Sequence, residues 1–480
     1  MAKQKSRSSE VYKFGGASLA DGTAYKHAAG ISKKCPSPLA VVCSAPAGVT
    51  DLLLAVSENA RVGNREKTAS ALEAVREKYR VVLQQIGIPA RARSELTEIV
   101  DESMAELETL ASGLAALREL TPRTSDLVVS RGERLSAQVF AAVLRASGVK
   151  SEYVDALEVV HTDGPFGGAG PNLARTDAAV RARLRPLMAK KIIPVVPGFL
   201  GAWTKEHGHP AALVTLGRGG SDLTATLLGR ALDASRVTLW KDVPGLLSAD
   251  PRVVKDARVI PLLHVREAAE LAYYGAKVLH SRALIPVQGK TIPVFVRPFG
   301  EPTAPGTEIS TRQGEDRHPV KALSAVGGQA LITVAGRGLL GVPGVAARAF
   351  ATMSAHGMSV SLITQSSSEQ SICFTVPEKE AKAAKEHLDL AFHDEIARRE
   401  VDGIQVLTGM TTIAVVGLGM AGMPGIAARV FSALAAQSIN VVAIAQGSSE
   451  LNISLVVQAD QAAEAQRLIH AAFGLSKDNQ

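Results

Sequence analysis

Aromatic side chains are scarce in this sequence: Phe, Tyr and Trp make up 4% of its 480 residues. Its cores must be built from Ala, Val, Leu and Ile, and few rings are left to stack on nucleic-acid bases. Cysteine is scarcer. Cys35, Cys43 and Cys373 form neither a metal-ligand spacing nor a disulfide framework, which suits a reducing cytoplasm. An excess of one charge is also missing: 53 basic against 46 acidic residues leave +7. That is a solvated surface with a mild bias toward anionic ligands, not a nucleic-acid patch. No stretch reads as a membrane span. Residues 410–446 carry one formal charge, Arg429, but glycines, Pro424, Gln437, Ser438 and Asn440 interrupt them. The opening MAKQKSRSSE has no apolar core of a signal peptide, so residues 1–10 read as a disordered tail. A Walker G-x-x-x-x-G-K-[ST], a Ser-His-Asp order and a metal-ligand cluster are all lacking.

What is present alternates strand and helix. VYKF (11–14), LAVVC (39–43), IIPVV (192–196), ALVTL (212–216), VTLW (237–240) and IPVFV (292–296) are nearly continuous apolar runs. Strands buried on both faces look like this. Residues 51–120 have helical periodicity and no strand signal, so a helical insertion beside a mostly parallel sheet is expected. The class is α/β, with helices on both faces of the sheet. The breaker-rich STRQGEDRHP, 310–319, reads as a linker.

An internal repeat follows. Residues 334–372 align with 415–453 without a gap, pairing Pro343 with Pro424, Arg348 with Arg429 and Gln365 with Gln446. Each copy reads as a ferredoxin-like βαββα unit. Both contain G-x-G-x-x-G, at Gly336, Gly338, Gly341 and at Gly417, Gly419, Gly422. A dinucleotide site would need an acidic residue closing the next strand, and Gln365 and Gln446 stand there instead. The glycines read as a tight turn into a helix.

Three glycine-bearing turns follow strands. KFGGAS offers Lys13 and the amides of Gly15 and Gly16 to an anion. SAPAGVTD offers the hydroxyls of Ser44 and Thr50. TLGRGGSDLTAT is the most specific: Arg218 can clamp a carboxylate, Gly219 and Gly220 expose amides, and Asp222 can orient a cation. Lys241 and Asp242 lie just past another strand, Asp250 to Arg252 one turn on, and Glu133 at a turn before a helix. Cations, glycine amides and a few carboxylates suit phosphoryl transfer, which needs positioning and charge neutralisation.

The ordered motifs KFGGAS, SAPAGVTD, SRGERLS, TLGRGGSDLTAT, WKDVPGLLSADPRVV, ELAYYGAKVLHSRA and PGTEIS resemble aspartate kinase from about residue 11 onward. The resemblance implies an amino-acid-kinase fold over 11–310 and two ACT domains, over 320–400 and 401–480. It implies transfer of the γ-phosphate of MgATP to the side-chain carboxylate of L-aspartate, the first step toward lysine, threonine and methionine. It implies catalytic roles for Lys13 and Asp222. Thr50, Glu133, Arg218, Gly219, Gly220 and Ser221 would hold aspartate, with Arg218 on its α-carboxylate and Glu133 on its ammonium. Lys13, Phe14, Gly15, Gly16, Lys241, Asp242, Leu247, Arg252, Lys277 and Val278 would hold ATP. Gln365 and Gln446 would bind an amino-acid effector, threonine or lysine, in a homo-oligomer joined through the ACT pair. Two departures from the family pattern, Ala17 and Leu247, lose a hydroxyl and a ring but no charge. They keep open an amino-acid sensor with a weakened kinase half, or a kinase for another carboxylate. No protein-bound metal, nucleic acid or membrane is expected.

Overall fold

The computed structural model describes residues 9–204, 211–275, 278–312, 314, 318–336, 344–365 and 371–476. Lys277, Gly338, Gly341, Pro343 and the tail before residue 9 lie outside the described residues. The chain forms two compact units: 1–246 with 261–265 and 278–313, and 247–260 with 266–277 and 314–480. Residues 247–260 and 266–277, which precede the sequence-level boundary at 310, thus pack with the second unit.

Among the described residues, eleven strands belong to the first unit: β1 (Glu10–Phe14), β2 (Leu39–Cys43), β3 (Ser151–Tyr153), β4 (His161–Thr162), β5 (Ile193–Pro197), β6 (Leu200–Trp203), β7 (Ala212–Thr215), β8 (Arg236–Lys241), β9 (Leu262–His264), β10 (Val294–Pro298) and β11 (Thr307–Ser310). Eight make one sheet in the order β3-β5-β2-β1-β8-β10-β11-β9, parallel except between β10 and β11. Every residue of β1, β2 and β5 is buried, including the charged Glu10 and Lys13 that interrupt the apolar run of β1. The run ALVTL behaves differently. Its strand β7 pairs antiparallel with β6 in a separate three-stranded sheet, β4-β6-β7. Phe199, at φ 71°, reverses the chain between β5 and β6 and creates that sheet.

The helices of this unit are α1 (Gly22–Lys33), α2 (Val49–Arg61), α3 (Arg65–Gln85), α4 (Ala90–Leu117), α5 (Pro122–Ala146), α6 (Ala156–Val159), α7 (Leu173–Ala189) and α8 (Gly220–Leu232). The expected helical insertion is α2 to α4. Its apolar stripes, among them Val75, Leu96, Met104 and Leu107, share one core with Phe14 and Trp240. The few rings sit centrally, and two buried tyrosines keep their polar tips paired, whereas the Trp240 indole N–H has no hydrogen-bond partner among the described residues. Tyr79 donates to the Gly132 carbonyl at 2.8 Å, and Tyr25 shares a 2.7 Å hydrogen bond with Ser136. Thr121 caps α5 and Pro122 opens it.

The second unit holds α9 (Val265–Tyr273, from Arg266 on), α10 (Val345–Ala355), α11 (Ala381–Ala391), α12 (His393–Ala397), α13 (Ile426–Ala435) and α14 (Ala462–Ala472). Its strands are β12 (Ala322–Ala335), β13 (Ile363–Gln365), β14 (Ser371–Pro377), β15 (Gly403–Val416), β16 (Ala443–Gln446) and β17 (Asn452–Gln458). They form one sheet, β13-β14-β12-β15-β17-β16. Each repeat is βαββα as expected, but each is completed by the other. Residues 329–335 of β12 and 410–416 of β15 are the central strands of their own repeats. Residues 403–407 of β15 add the fourth strand to the first repeat, and 322–326 of β12 add it to the second. The glycines of the apparent fingerprint serve this arrangement. A Cβ on Gly336 would lie 2.2 Å from the Glu400 carbonyl oxygen, and one on Gly417 would lie 2.1 Å from that of Pro319. Only glycine lets the incoming backbone so close.

Residues 247–260 join the apolar core under α13 and α14 through Ala249, Val254 and Ala257. Ser248 is the centre of that attachment. Its hydroxyl meets His470 Nε2 at 2.9 Å and accepts from the Arg258 amide at 3.0 Å, while its carbonyl accepts from Leu323.

Candidate functional site

The site is assembled where β1, β8 and α8 end or begin. Parallel register places Phe14 beside Trp240, so Lys13 and Lys241 both project from the carboxyl ends of adjacent central strands. Asp222 comes from the first turn of α8. Its Oδ1 meets Lys13 Nζ at 2.7 Å and its Oδ2 meets Lys241 Nζ at 2.7 Å. Burial pushes the Asp222 carboxyl up, but the two ammonium groups outweigh it and hold the group down at about 2. Burial lowers Lys13, against the pull of Asp222. The result is two cations sharing one anion, a net positive charge beneath a glycine turn.

That turn is KFGG. The Gly16 carbonyl accepts from the Ala47 amide at 3.1 Å, and the Phe14 carbonyl from the Ser44 amide at 3.1 Å. A Cβ on Gly16 would lie 3.1 Å from the Ala45 carbonyl oxygen, so the KFGG and SAPA turns lie against each other. Thr50 follows, half-buried in the first turn of α2.

Glu133 lies in the middle of α5, not at a turn before a helix as its sequence context suggested, because the helix runs unbroken from Pro122 to Ala146; it is 4% exposed. Its Oε2 has no hydrogen-bond partner among the described residues. Burial pushes its carboxyl up to about 8, with backbone hydrogen bonds and Lys13 opposing. Such an orphan acceptor costs stability unless something fills it.

Arg218 is exposed and makes no ion pair among the described residues. It sits between Gly217 and Gly219, both at φ 72°. Gly219 is the N-cap of α8, and Gly220, Ser221 and Asp222 form its first turn. A Cβ on Gly219 would lie 2.4 Å from His280 Cβ. The sequence reading missed Gly198 and Phe199, which wrap this turn. A Cβ on Gly198 would lie 2.6 Å from Ser221 Cβ, and one on Gly220 would meet the Phe199 ring at 2.7 Å. The signal was a glycine–aromatic pair closing the apolar run IIPVV.

The first unit therefore brings together Lys13, Glu133, Arg218 to Asp222, and Lys241, with Asp242 exposed just beyond. Val278 is half-buried in the same unit. Leu247 and Arg252 belong to the second unit. There Leu247 pairs with Val259, and the exposed Arg252 grips Asp250 at 2.6 Å. Gln365 and Gln446 end β13 and β16, the two outer strands of the six-stranded sheet, and both are exposed.

A profile described as the amino acid kinase family matches residues 10–298, and an ACT domain profile matches 332–392 and 413–473. Lysine-sensitive aspartokinase 3 of Escherichia coli is 33% identical over 461 residues, which span 96% of this chain and 98% of that protein. The chain belongs to the aspartokinases. Another member, a bifunctional aspartokinase/homoserine dehydrogenase of Haemophilus influenzae, is 36% identical across 96% of this chain but 56% of its own length. The chain spans about half the length of such bifunctional aspartokinases. Among solved structures, aspartokinase III of E. coli in complex with aspartate and ADP superposes with a TM-score of 0.82. It is 31% identical, over 97% of this chain and 99% of that one.

Proposed function

We propose that this aspartokinase transfers the γ-phosphoryl group of ATP to the side-chain carboxylate of L-aspartate, giving 4-phospho-L-aspartate and ADP. The observation that carries this reading is the pairing of Lys13 and Lys241 on Asp222, close to Glu133, whose Oε2 has no hydrogen-bond partner among the described residues. An amino acid presents one ammonium and two carboxylates. Glu133 offers the buried acceptor that an ammonium fills, and Arg218 a free guanidinium for the α-carboxylate. Thr50, Ser221 and the Gly219 amide complete that pocket; the Gly220 amide, expected to be exposed, is taken by the Gly217 carbonyl at 2.9 Å. The remaining carboxylate then points toward the lysine pair.

The step is a displacement at phosphorus. A carboxylate oxygen of aspartate forms a bond to the γ-phosphorus as the bond to the β–γ bridging oxygen breaks, and ADP leaves with that electron pair. No proton moves, so no general base is needed. Lys13, with the Gly15 and Gly16 amides, neutralises charge on the transferring group, and Asp222 fixes the aim of both lysines. Phe14, Asp242 and Val278, all of the first unit, would serve the nucleotide side. Both oxygens of Asp222 are taken by lysines, and the described residues hold no cluster of three or more ligating side chains. The donor set therefore fits a magnesium ion carried on the triphosphate, where it would neutralise phosphate charge.

Control is proposed through the ACT pair. Threonine or lysine binds near Gln365 or Gln446, whose amides can both donate and accept. The lysine sensitivity of the E. coli relative supports lysine. The outer strands β13 and β16 expose Ile363 and Ile444, and we place a second copy of the chain there, making a homo-oligomer. A cytoplasmic enzyme agrees with ATP as substrate and three free cysteines.

A hydroxamate assay with aspartate, glutamate and N-acetylglutamate tests the activity. Preference for either glutamate compound overturns the acceptor. No turnover with any of them in folded protein leaves the sensor reading.

A further inference from the structure

Two buried or half-buried charges beside the acceptor turn have no counter-ion among the described residues and bind only neutral groups. Asp126, on α5 and 2% exposed, accepts from the amides of Thr215 at 3.0 Å and Gly167 at 2.9 Å through Oδ2. Its Oδ1 accepts from the Thr215 hydroxyl at 2.7 Å. Arg282 donates through Nη1 to the Leu216 carbonyl at 2.9 Å and through Nη2 to the Ala169 carbonyl at 3.2 Å. Each charge thus bridges the same two stretches of backbone, 167–169 and 215–216. Those stretches also bond directly, from the Ala169 amide to the Thr215 carbonyl at 2.9 Å.

The second stretch runs straight into Gly217, Arg218 and Gly219. Two glycines at positive φ flank Arg218, and a single hydrogen bond, from the Gly220 amide to the Gly217 carbonyl at 2.9 Å, closes the turn across it. A loose turn would have to be ordered by the substrate, at the expense of affinity. Charge-assisted hydrogen bonds are about twice as strong as neutral ones, and here they grip the turn from both sides. The loop 163–170 is the other half of the grip. Its Phe166 packs edge-on against Trp203, ring centroids 5.4 Å apart, and Asp163 closes its base on Gly170 at 3.0 Å.

We propose that Asp126 and Arg282 are positioning residues of the acceptor site. They hold the 215–219 turn against the 163–170 loop and so preset Arg218 for a carboxylate. This rests on Arg218 being the acceptor clamp.

Steady-state kinetics with aspartate and ATP varied separately test it. Asp126→Ala and Arg282→Ala should raise KM for aspartate by about 10- to 100-fold, as small misplacements of a clamp do. KM for ATP should stay within about twofold, since the lysine pair is untouched. Asp126→Asn should restore most of the loss: its carbonyl can take both amides and its NH2 can donate to the Thr215 hydroxyl. Arg282→Lys, reaching one carbonyl, should fall between. A merely structural role would lower the melting temperature and shift both KM values together, which overturns the proposal. Unchanged KM for aspartate in folded Arg282→Ala also overturns it, and that variant decides if Asp126→Ala does not fold. Arg218→Ala separates the two levels. If it leaves KM for aspartate unchanged, the acceptor reading itself fails. If it raises KM while Asp126→Ala and Arg282→Ala do not, only the positioning proposal fails.

Discussion

Asp126 and Glu133 stand seven residues apart on α5, so both buried carboxyls point to one face, two turns from each other. One is filled by backbone amides, and the other keeps an open oxygen. On the roles proposed above, a single helix would carry both the ammonium acceptor and the support of the opposite turn.

If Glu133 takes the substrate ammonium as proposed, acceptor binding should depend on pH. With its carboxyl pushed up to about 8, it is mostly neutral at pH 7, and pairing with an ammonium requires it to ionise. Aspartate binding should release a proton at pH 7, and affinity should rise as pH climbs toward 8, then level off. Calorimetry in buffers of different ionisation enthalpy reads the proton directly. Glu133→Gln should bind weakly and without this pH dependence.

Lys13 and Arg218 should separate chemistry from binding. Lys13→Ala should lower kcat by about 100-fold or more, as removal of one donor to developing charge does. Arg218→Ala should chiefly raise KM for aspartate, because its clamp exists in ground and transition states alike. A lowered kcat with unchanged KM in Arg218→Ala would reverse these roles.

Gly219→Ala should fail at the acceptor turn for two reasons. The residue sits at φ 72°, and its new Cβ would lie 2.4 Å from His280 Cβ. Backbone strain of this kind costs about 1–3 kcal/mol. KM for aspartate should rise while the melting temperature falls by only a few degrees. A variant with wild-type KM would show that the turn tolerates movement.

Gln365→Ala should shift the midpoint of feedback inhibition upward when each variant is scaled to its own uninhibited rate. Inhibition curves with lysine and with threonine measure it. Identical curves in mutant and wild type would move the effector to Gln446.

Much of the first unit was legible because strands buried on both faces leave nearly continuous apolar runs, as LAVVC does without a break and VYKF does apart from Lys13. ALVTL has the same composition yet lies in a different sheet. The reversal at Phe199 that separates them is a positive φ on an aromatic residue, which no propensity signals. Lys13, Arg218 and Asp222 were legible from glycine spacing. Asp126 was not: it is one acidic residue in a helix, and its partners lie 41 and 89 positions along the chain. The repeat showed itself by its constant offset, but that same regularity hid the exchange of strands, since ALSAVGG lies ahead of the first copy. Residues 247–260 read as kinase sequence because their motif sits among kinase motifs, whereas Ala249, Val254 and Ala257 have their apolar neighbours under α14.

The reciprocal use of β12 and β15 also governs how this half of the molecule can be cut or inherited. A fragment ending near residue 400 would carry the first repeat's helices but only three of its strands, and the complementary fragment would lack its own edge. Each would expose a row of unpaired backbone groups where its neighbour had been. A duplicated segment that has traded strands in this way can no longer lose one copy by simple deletion. The two halves must melt, be expressed and evolve as one object.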